Sequence, residues 1–189
     1  MKLKRILPYA KELLTSVIEA GDSVVDATAG NGHDTLFLAE LVGENGHVYA
    51  FDVQEEAIQA TAEKLEQANL KTRTILIQDG HENVSNYVHS EVSAAIFNLG
   101  YLPGSSQDVV TRGASTIQAI ESLLDLLKIG GLIVLVVYHG HEGGKQEKDE
   151  IISFVQQLPQ SFAHVLSYQF LNQHNHPPFI IVIEKMKAN

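Results

Sequence analysis

The feature that most limits this chain's folding options is a regular alternation of short apolar, β-branched runs with longer segments of helical spacing. Residues 7–20 place Leu13, Leu14, Val17 and Ile18 on one helical face, and Gly21-Asp22 stop the run. Strand-like runs follow at residues 23–28, 47–53, 72–78, 92–98 and 132–138, with helical patterns at 35–41, 55–69, 114–127 and 147–157 between or after them. Each strand-helix-strand repeat demands a parallel crossover, so the expectation is an α/β fold with a doubly wound sheet. Residues 92–98 and 132–138 are almost wholly apolar, as strands covered on both faces must be. Two last strands, 163–170 and 178–184, have only the polar loop 172–176 between them, too short for a parallel crossover. The sheet should therefore be mostly parallel, seven-stranded and antiparallel at its last strand, with that reversed strand at an edge. Lys128-Ile129-Gly130-Gly131 reads as the glycine stop of the helix before residue 132.

At 189 residues the chain has room for one such domain, spanning residues 1–189, and little more. No run of eighteen apolar residues occurs, and Pro8, Lys11 and Glu12 interrupt what would be a secretory h-region, so a cytoplasmic protein is expected. Cysteine is absent. That removes disulfides, thiolate metal sites and the thiolate attack by which a pyrimidine ring carbon is activated. His174 and His176 have no third ligand fixed near them, so no metal is expected. Net charge is −10, the reverse of a protein basic over its whole surface. The cations are uneven, however: Lys2, Lys4, Arg5 and Lys11 all precede the first acid, Glu12. Charge alone leaves that cluster as a phosphate-binding arm or a solvated terminus.

Chemistry concentrates where the first strand meets glycines and then a helix, in Asp26-Ala27-Thr28-Ala29-Gly30-Asn31-Gly32-His33-Asp34-Thr35. Glycines there permit positive φ and close approach, and the N–H groups of the helix start can hold a polar ligand. Asp52, Val53 and Gln54 close the second strand, and 52 − 30 puts Asp52 22 residues beyond Gly30, the spacing of a ribose-binding acid. Asp79, Gly80 and His81 close the third strand, where Asp79 would accept from an adenine amino group. The loop lacks the third glycine of a dinucleotide fingerprint and carries Asp26 in its strand. A carboxylate favours a sulfonium and opposes a pyrophosphate, so S-adenosyl-L-methionine is the expected cofactor and a nicotinamide dinucleotide the rival. Asp26 also reads as a buried acid capping loop N–H groups.

Asn98 leaves the fourth strand beside that loop, and Asn98-Leu99-Gly100-Tyr101 is similar to the Asn-Pro-Pro-Tyr motif of methyltransferases acting on amino nitrogens. An amide oxygen there would orient an attacking amine, and Tyr101 would stack on a base. The alternative leaves Asn98 as a strand cap and Tyr101 as packing. His139 and His141, on the loop after the fifth strand, are candidate bases or substrate contacts. Leu102, Pro103, Gly104, Gly143 and Gly144 shape the two acceptor loops, and Arg112, Lys145 and Lys148 could meet phosphates.

Three segments together, 26–35, Phe97-Asn98-Leu99-Gly100-Tyr101-Leu102-Pro103-Gly104 and Tyr138-His139-Gly140-His141-Glu142-Gly143-Gly144, resemble the signatures of the YtqB-like rRNA methylase family over nearly the whole chain. His139 and Glu142 stand where that family usually has prolines. The resemblance implies a Rossmann-like class I methyltransferase fold. It also implies the tRNA 5-aminomethyl-2-thiouridine methyltransferase activity of the MnmM type, with the anticodon stem-loop of tRNA as partner. The residues themselves reach only as far as an amine-type acceptor, and an rRNA or small-molecule N- or O-methyltransferase is the competing expectation. A homodimer is expected on the ground that so small a chain must present a long anticodon arm.

Overall fold

The alternating pattern becomes alternating structure in a computed structural model that describes residues 2–100 and 111–187. In chain order the elements are α1 (Ile6–Val17), β1 (Ser23–Asp26), α2 (His33–Leu41), β2 (His47–Asp52), α3 (Glu55–Gln67), β3 (Thr74–Gln78) and β4 (Val92–Leu99). They continue with α4 (Gly113–Leu126), β5 (Leu127–Val137), α5 (Gly144–Gln156), β6 (Ala163–Tyr168) and β7 (Phe179–Lys185). Short 3-10 turns precede and follow β3.

The seven strands form one sheet in the order β3-β2-β1-β4-β5-β7-β6. Every pairing from β3 to β5 is parallel, whereas β7 runs antiparallel to both β5 and β6. The last strand is thus reversed, as expected, but it is not at the edge. β7 inserts between β5 and β6, and β6 forms the border, running the same way as β1–β5. The residues explain the choice. β7 is buried along Phe179–Ile183 and can only sit inside the sheet, while His164–Ser167 of β6 are exposed as an edge strand permits.

The glycine pair after α4 also differs from expectation. The helix ends at Leu126, and Leu127 already pairs with Val92. Lys128–Gly131 then bulge out of register before Leu132 pairs with Ala94. Gly130 has φ +78°, and a Cβ on Gly131 would come within 2.8 Å of the Ser93 carbonyl. These glycines therefore serve a bulge rather than a helix cap.

Two apolar layers enclose the sheet. On one face Ile6, Ala10, Leu14, Leu38 and Leu65, from α1, α2 and α3, pack against Val24, Ala94, Val134 and Ile180. On the other, Ile120, Leu123, Leu124 and Ile151, from α4 and α5, pack against Val25, Phe97, Leu135 and Ile181. Between β1 and β4 the strand order reverses, and loops diverge at the carboxyl edge to leave a crevice. Among the described residues no helix is long and apolar enough to cross a membrane.

Candidate active site

The glycine loop after β1 is stitched to the strands on either side. Ala27 N–H donates to the Ile96 carbonyl at 2.9 Å, and Ala29 N–H to the Phe51 carbonyl at 2.8 Å. Gly30 and Gly32 have φ of +53° and +74°. Gly32 lies so close to α3 that a Cβ would meet Thr61 at 2.9 Å, and the Thr61 hydroxyl donates to the Gly30 carbonyl at 3.2 Å. No L side chain fits that backbone without displacing α3.

Asp26 lies behind this loop. It is fully buried, accepting from Thr28 N–H at 3.1 Å and from the Thr35 hydroxyl at 2.6 Å. Burial first, and then the charge of Asp34, push its pKa up to about 7. Its carboxylate is covered by protein and braces the loop from within. Asp52 is different. Half-buried at the end of β2, it accepts from Gly30 N–H at 2.9 Å and Gln54 N–H at 3.0 Å. Val53 beside it is 55% exposed, an apolar wall at the crevice rim. Asn31 and His33 are exposed, and the His33 ring lies 3.2 Å from Lys64 Nζ of α3.

After β3, Asp79 accepts from Gly80 N–H, the Asn83 amide and the Tyr87 hydroxyl, and these hydrogen bonds hold its pKa below the usual carboxylate range. His81 turns inward. Its Nδ1 is 3.0 Å from the Ala27 carbonyl, its ring meets Phe97 edge-on, and burial lowers its pKa. The geometry requires Nδ1–H as donor, which leaves Nε2 buried with no hydrogen-bond partner. His81 thus supports the floor of the crevice.

On the acceptor side, Asn98 N–H donates to the Thr28 hydroxyl at 2.7 Å, and its side-chain NH2 donates to Asp34 Oδ2 at 2.8 Å. Because a carboxylate only accepts, Asp34 fixes the amide's orientation, and Asn98 Oδ1 faces away from it. Lys11 Nζ of α1 lies 3.8 Å from Asp34. Tyr138 is raised in pKa by burial and then by the charge of Asp34. Lys11 and Tyr138 thus join Asn98 and Asp34 at one place.

The two histidines of the loop after β5 part company. His141 lies by the neck of the preceding acceptor loop, with Cε1 3.6 Å from a Cβ placed on Gly100. Gly144 is needed there, since a Cβ on it would come within 2.7 Å of the same His141 atom. His139 instead packs edge-on against His176 and near Phe179, on the β7 side, and burial lowers its pKa. Gly143 takes φ +79° as the cap of α5, while Arg112 and Lys145 are exposed at the starts of α4 and α5. Lys148 pairs with Asp149 at 3.2 Å. Tyr101, Leu102, Pro103 and Gly104 lie outside the described residues.

A clasp at the acceptor loop has no counterpart among the sequence expectations. Gly100 N–H donates to the Thr111 hydroxyl at 2.9 Å, and Thr111 N–H donates to the Gly100 carbonyl at 3.1 Å. The Thr111 hydroxyl in turn donates to buried Glu147 of α5 at 2.9 Å, and burial raises the pKa of Glu147. Gly100 and Thr111 are thereby clipped together and to α5. No local pattern marks Glu147, which looks like any acid in the first turn of a helix. Two cavities of about 870 and 820 Å³ lie against α5, and neither is lined by Gly30, Asp52 or Asn98. The candidate site is the open crevice at the sheet edge.

The same fold recurs in known proteins. The family model described as "Putative rRNA methylase" matches residues 48–184. The chain belongs to that rRNA methylase family. A relative in Arabidopsis thaliana, the chloroplastic tRNA (mnm5s2U34)-methyltransferase, is 36% identical across 96% of this chain and 70% of its own length. Among solved structures, a Clostridium thermocellum protein described as "putative rRNA-methylase" superposes with a TM-score of 0.97 at 43% identity, covering 98% of this chain and all of that one. A Streptococcus mutans protein described as "a putative methyltransferase", in complex with SAH, superposes at 0.90 and 46% identity, covering 97% and 99%. The fold is accordingly the Rossmann-like class I methyltransferase fold, as the family resemblance implied.

Proposed function

We propose that this rRNA methylase family member is an S-adenosylmethionine-dependent tRNA methyltransferase that N-methylates the 5-aminomethyl group of wobble 2-thiouridine. The observation that carries the reading is the Asp34-oriented amide of Asn98, set beside the glycine loop that Asp52 closes. Support for the substrate comes from the Arabidopsis relative, whose acceptor is a modified uridine at position 34 of tRNA.

The donor set suits a sulfonium nucleoside. Asp26, Asp34 and Asp52 surround the loop, against Lys11 beside Asp34 and Lys64 beside His33. That balance favours a positively charged ligand and disfavours a pyrophosphate. In this proposal Asp52 holds the ribose hydroxyls, Val53 and Gln54 flank the adenine, and Asp79, with Gly80, reaches its amino group. Thr28, Gly30, Asn31 and Gly32 line the remaining wall, while Asp26, Ala27, His33, Thr35 and His81 shape the loop from outside the crevice. When bound, S-adenosylmethionine supplies an electrophilic methyl carbon.

Asn98 does the positioning on the other side. Its Oδ1 accepts from the acceptor amine and turns the nitrogen lone pair toward the methyl group, an entropic saving that raises turnover more than binding. The amine must first be neutral, since an alkylammonium titrates near ~10. Desolvation on entering the crevice lowers that value. Gly143 and Gly144 set the loop after β5, and His139, His141, Arg112 and Lys145 contact RNA around the acceptor. The protein acts in the cytoplasm, as one domain over residues 1–189 and as a homodimer.

Incubation with labelled methyl donor and tRNA from a strain lacking the enzyme, followed by nucleoside mass spectrometry, tests the reading. Label on 5-methylaminomethyl-2-thiouridine is expected. Label on rRNA or a metabolite with none on tRNA would overturn it, as would calorimetric binding of NAD in place of the methyl donor.

A further inference from the structure

The N-terminal cations, which the proposed chemistry leaves unused, lie at the reacting edge of the sheet. Helix α1 runs across β4, β5 and β7 and enters β1 from the opposite edge, so its first residues lie by the carboxyl ends of the strands. Three contacts pin them there. The Tyr168 hydroxyl at the end of β6 donates to the Lys4 carbonyl at 2.8 Å. The Tyr9 ring packs at a tilt against Tyr168 with centroids 4.3 Å apart, and Lys11 reaches Asp34, the partner of Asn98. Lys2, Lys4 and Arg5 are all exposed. Lys4 pairs with Glu12, whereas Lys2 and Arg5 have no ion-pair partner among the described residues.

Arg112 and Lys145 mark the same edge from the other face of the sheet, at the starts of α4 and α5. Asn98 therefore lies between two groups of exposed cations, one on each face, on a molecule of net charge −10. A polyanion would be repelled by most of this surface and held only where those groups stand. We infer that Lys2, Lys4 and Arg5 form a phosphate-binding jaw that, opposite Arg112 and Lys145, grips the RNA backbone flanking the nucleotide presented to Asn98. This rests on the RNA-acceptor reading above and adds the path of the strand. The Tyr168 contact to the Lys4 carbonyl supplies position, and the charge supplies affinity without reading sequence.

The test is steady-state methylation of tRNA at several salt concentrations by the wild type and by a Lys2→Gln/Lys4→Gln/Arg5→Gln triple variant. A Lys71→Gln/Lys187→Gln double variant, altered near the opposite edge, serves as comparison. In the triple variant KM for tRNA should rise about tenfold near 0.15 M salt, with kcat at saturation and donor affinity unchanged. The slope of log KM against log salt should shrink by about 2, at ~0.7 for each single-strand phosphate that the variant no longer neutralises. The comparison variant should match the wild type. Equal KM and salt slope in the triple variant would overturn the jaw, and so would an equal loss in the comparison variant. If the triple variant instead left tRNA kinetics intact but released the protein from phosphatidylserine vesicles, the surface would be a lipid contact and the inference wrong. Failure of the wild type to methylate any tRNA would remove the proposed function itself, a result distinct from these.

Discussion

At the scale of single residues, the site is governed by which carboxylates are covered and which are open. Asp26 is held in the core by two hydrogen bonds, yet its pKa is raised from 3.8 to about 7 because desolvation outweighs them. An acid whose folded pKa lies above its unfolded value takes up a proton on folding. Its contribution is complete below about pH 4 and is lost as pH rises through 7. Asp26→Asn should therefore flatten the pH dependence. Between pH 5 and 8 the variant should gain ~2–3 kcal/mol on the wild type in urea unfolding, and a difference that stays constant with pH would refute this account. Asp52 and Asn98 should separate in function: Asp52→Ala should weaken donor binding at least tenfold by calorimetry, while Asn98→Ala mainly lowers kcat. Loss of donor affinity to the same degree in both would erase that division. Asp34→Asn, which removes the pure acceptor facing the Asn98 amide, should also lower kcat more than it changes donor affinity. Combined with Asn98→Ala it should add little further loss, because both act on one contact.

The elements impose two further constraints. In the turn from β1 into α2, Gly32→Ala meets both a left-handed φ and Thr61 at 2.9 Å. It should cost ~1–3 kcal/mol in stability and weaken the donor by more than tenfold, with thermal unfolding and calorimetry as readouts. Gly21, also at positive φ but with open space around it, should lose less on the same change. On the acceptor side, Glu147→Ala removes the carboxylate that ties Thr111 to α5. It should raise KM for tRNA and speed proteolysis between residues 100 and 111 while leaving donor affinity intact; unaltered cleavage would show that the clip does not hold the segment.

The elements also show what is readable locally. Every strand and helix was foreseeable from periodicity, usually to within a few residues, because an apolar face must repeat at the pitch of its element. The exceptions turn on partners distant in sequence. Gly130 and Gly131 suit a helix end as well as a bulge, and only pairing of Leu127 with Val92 distinguishes them. Likewise, two strands joined by a short loop must be antiparallel, but nothing in the loop says which one lies inside the sheet.

On the scale of the whole molecule, the acidic surface and the cationic rim make opposite demands on an RNA partner, so methylation should be strongly salt-dependent. Raising salt from 0.05 to 0.2 M should raise KM for tRNA by at least tenfold while donor affinity changes little; a flat response would point to a neutral acceptor. The amino-acid order by itself determined the alternation that compels a parallel sheet, the glycine turn and the acids at successive strand ends, because these depend on neighbours a few residues apart. It also contained the clustered cations, without their destination. Tertiary structure alone decided that Asp26 is walled in while Asp52 is only half-buried, that His139 and His141 face different neighbours, and that Glu147 holds Thr111. It alone brought Lys11 to Asp34 and Asp34 to Asn98. Burial and contact between elements far apart in the chain are properties of packing, and no local spacing encodes them.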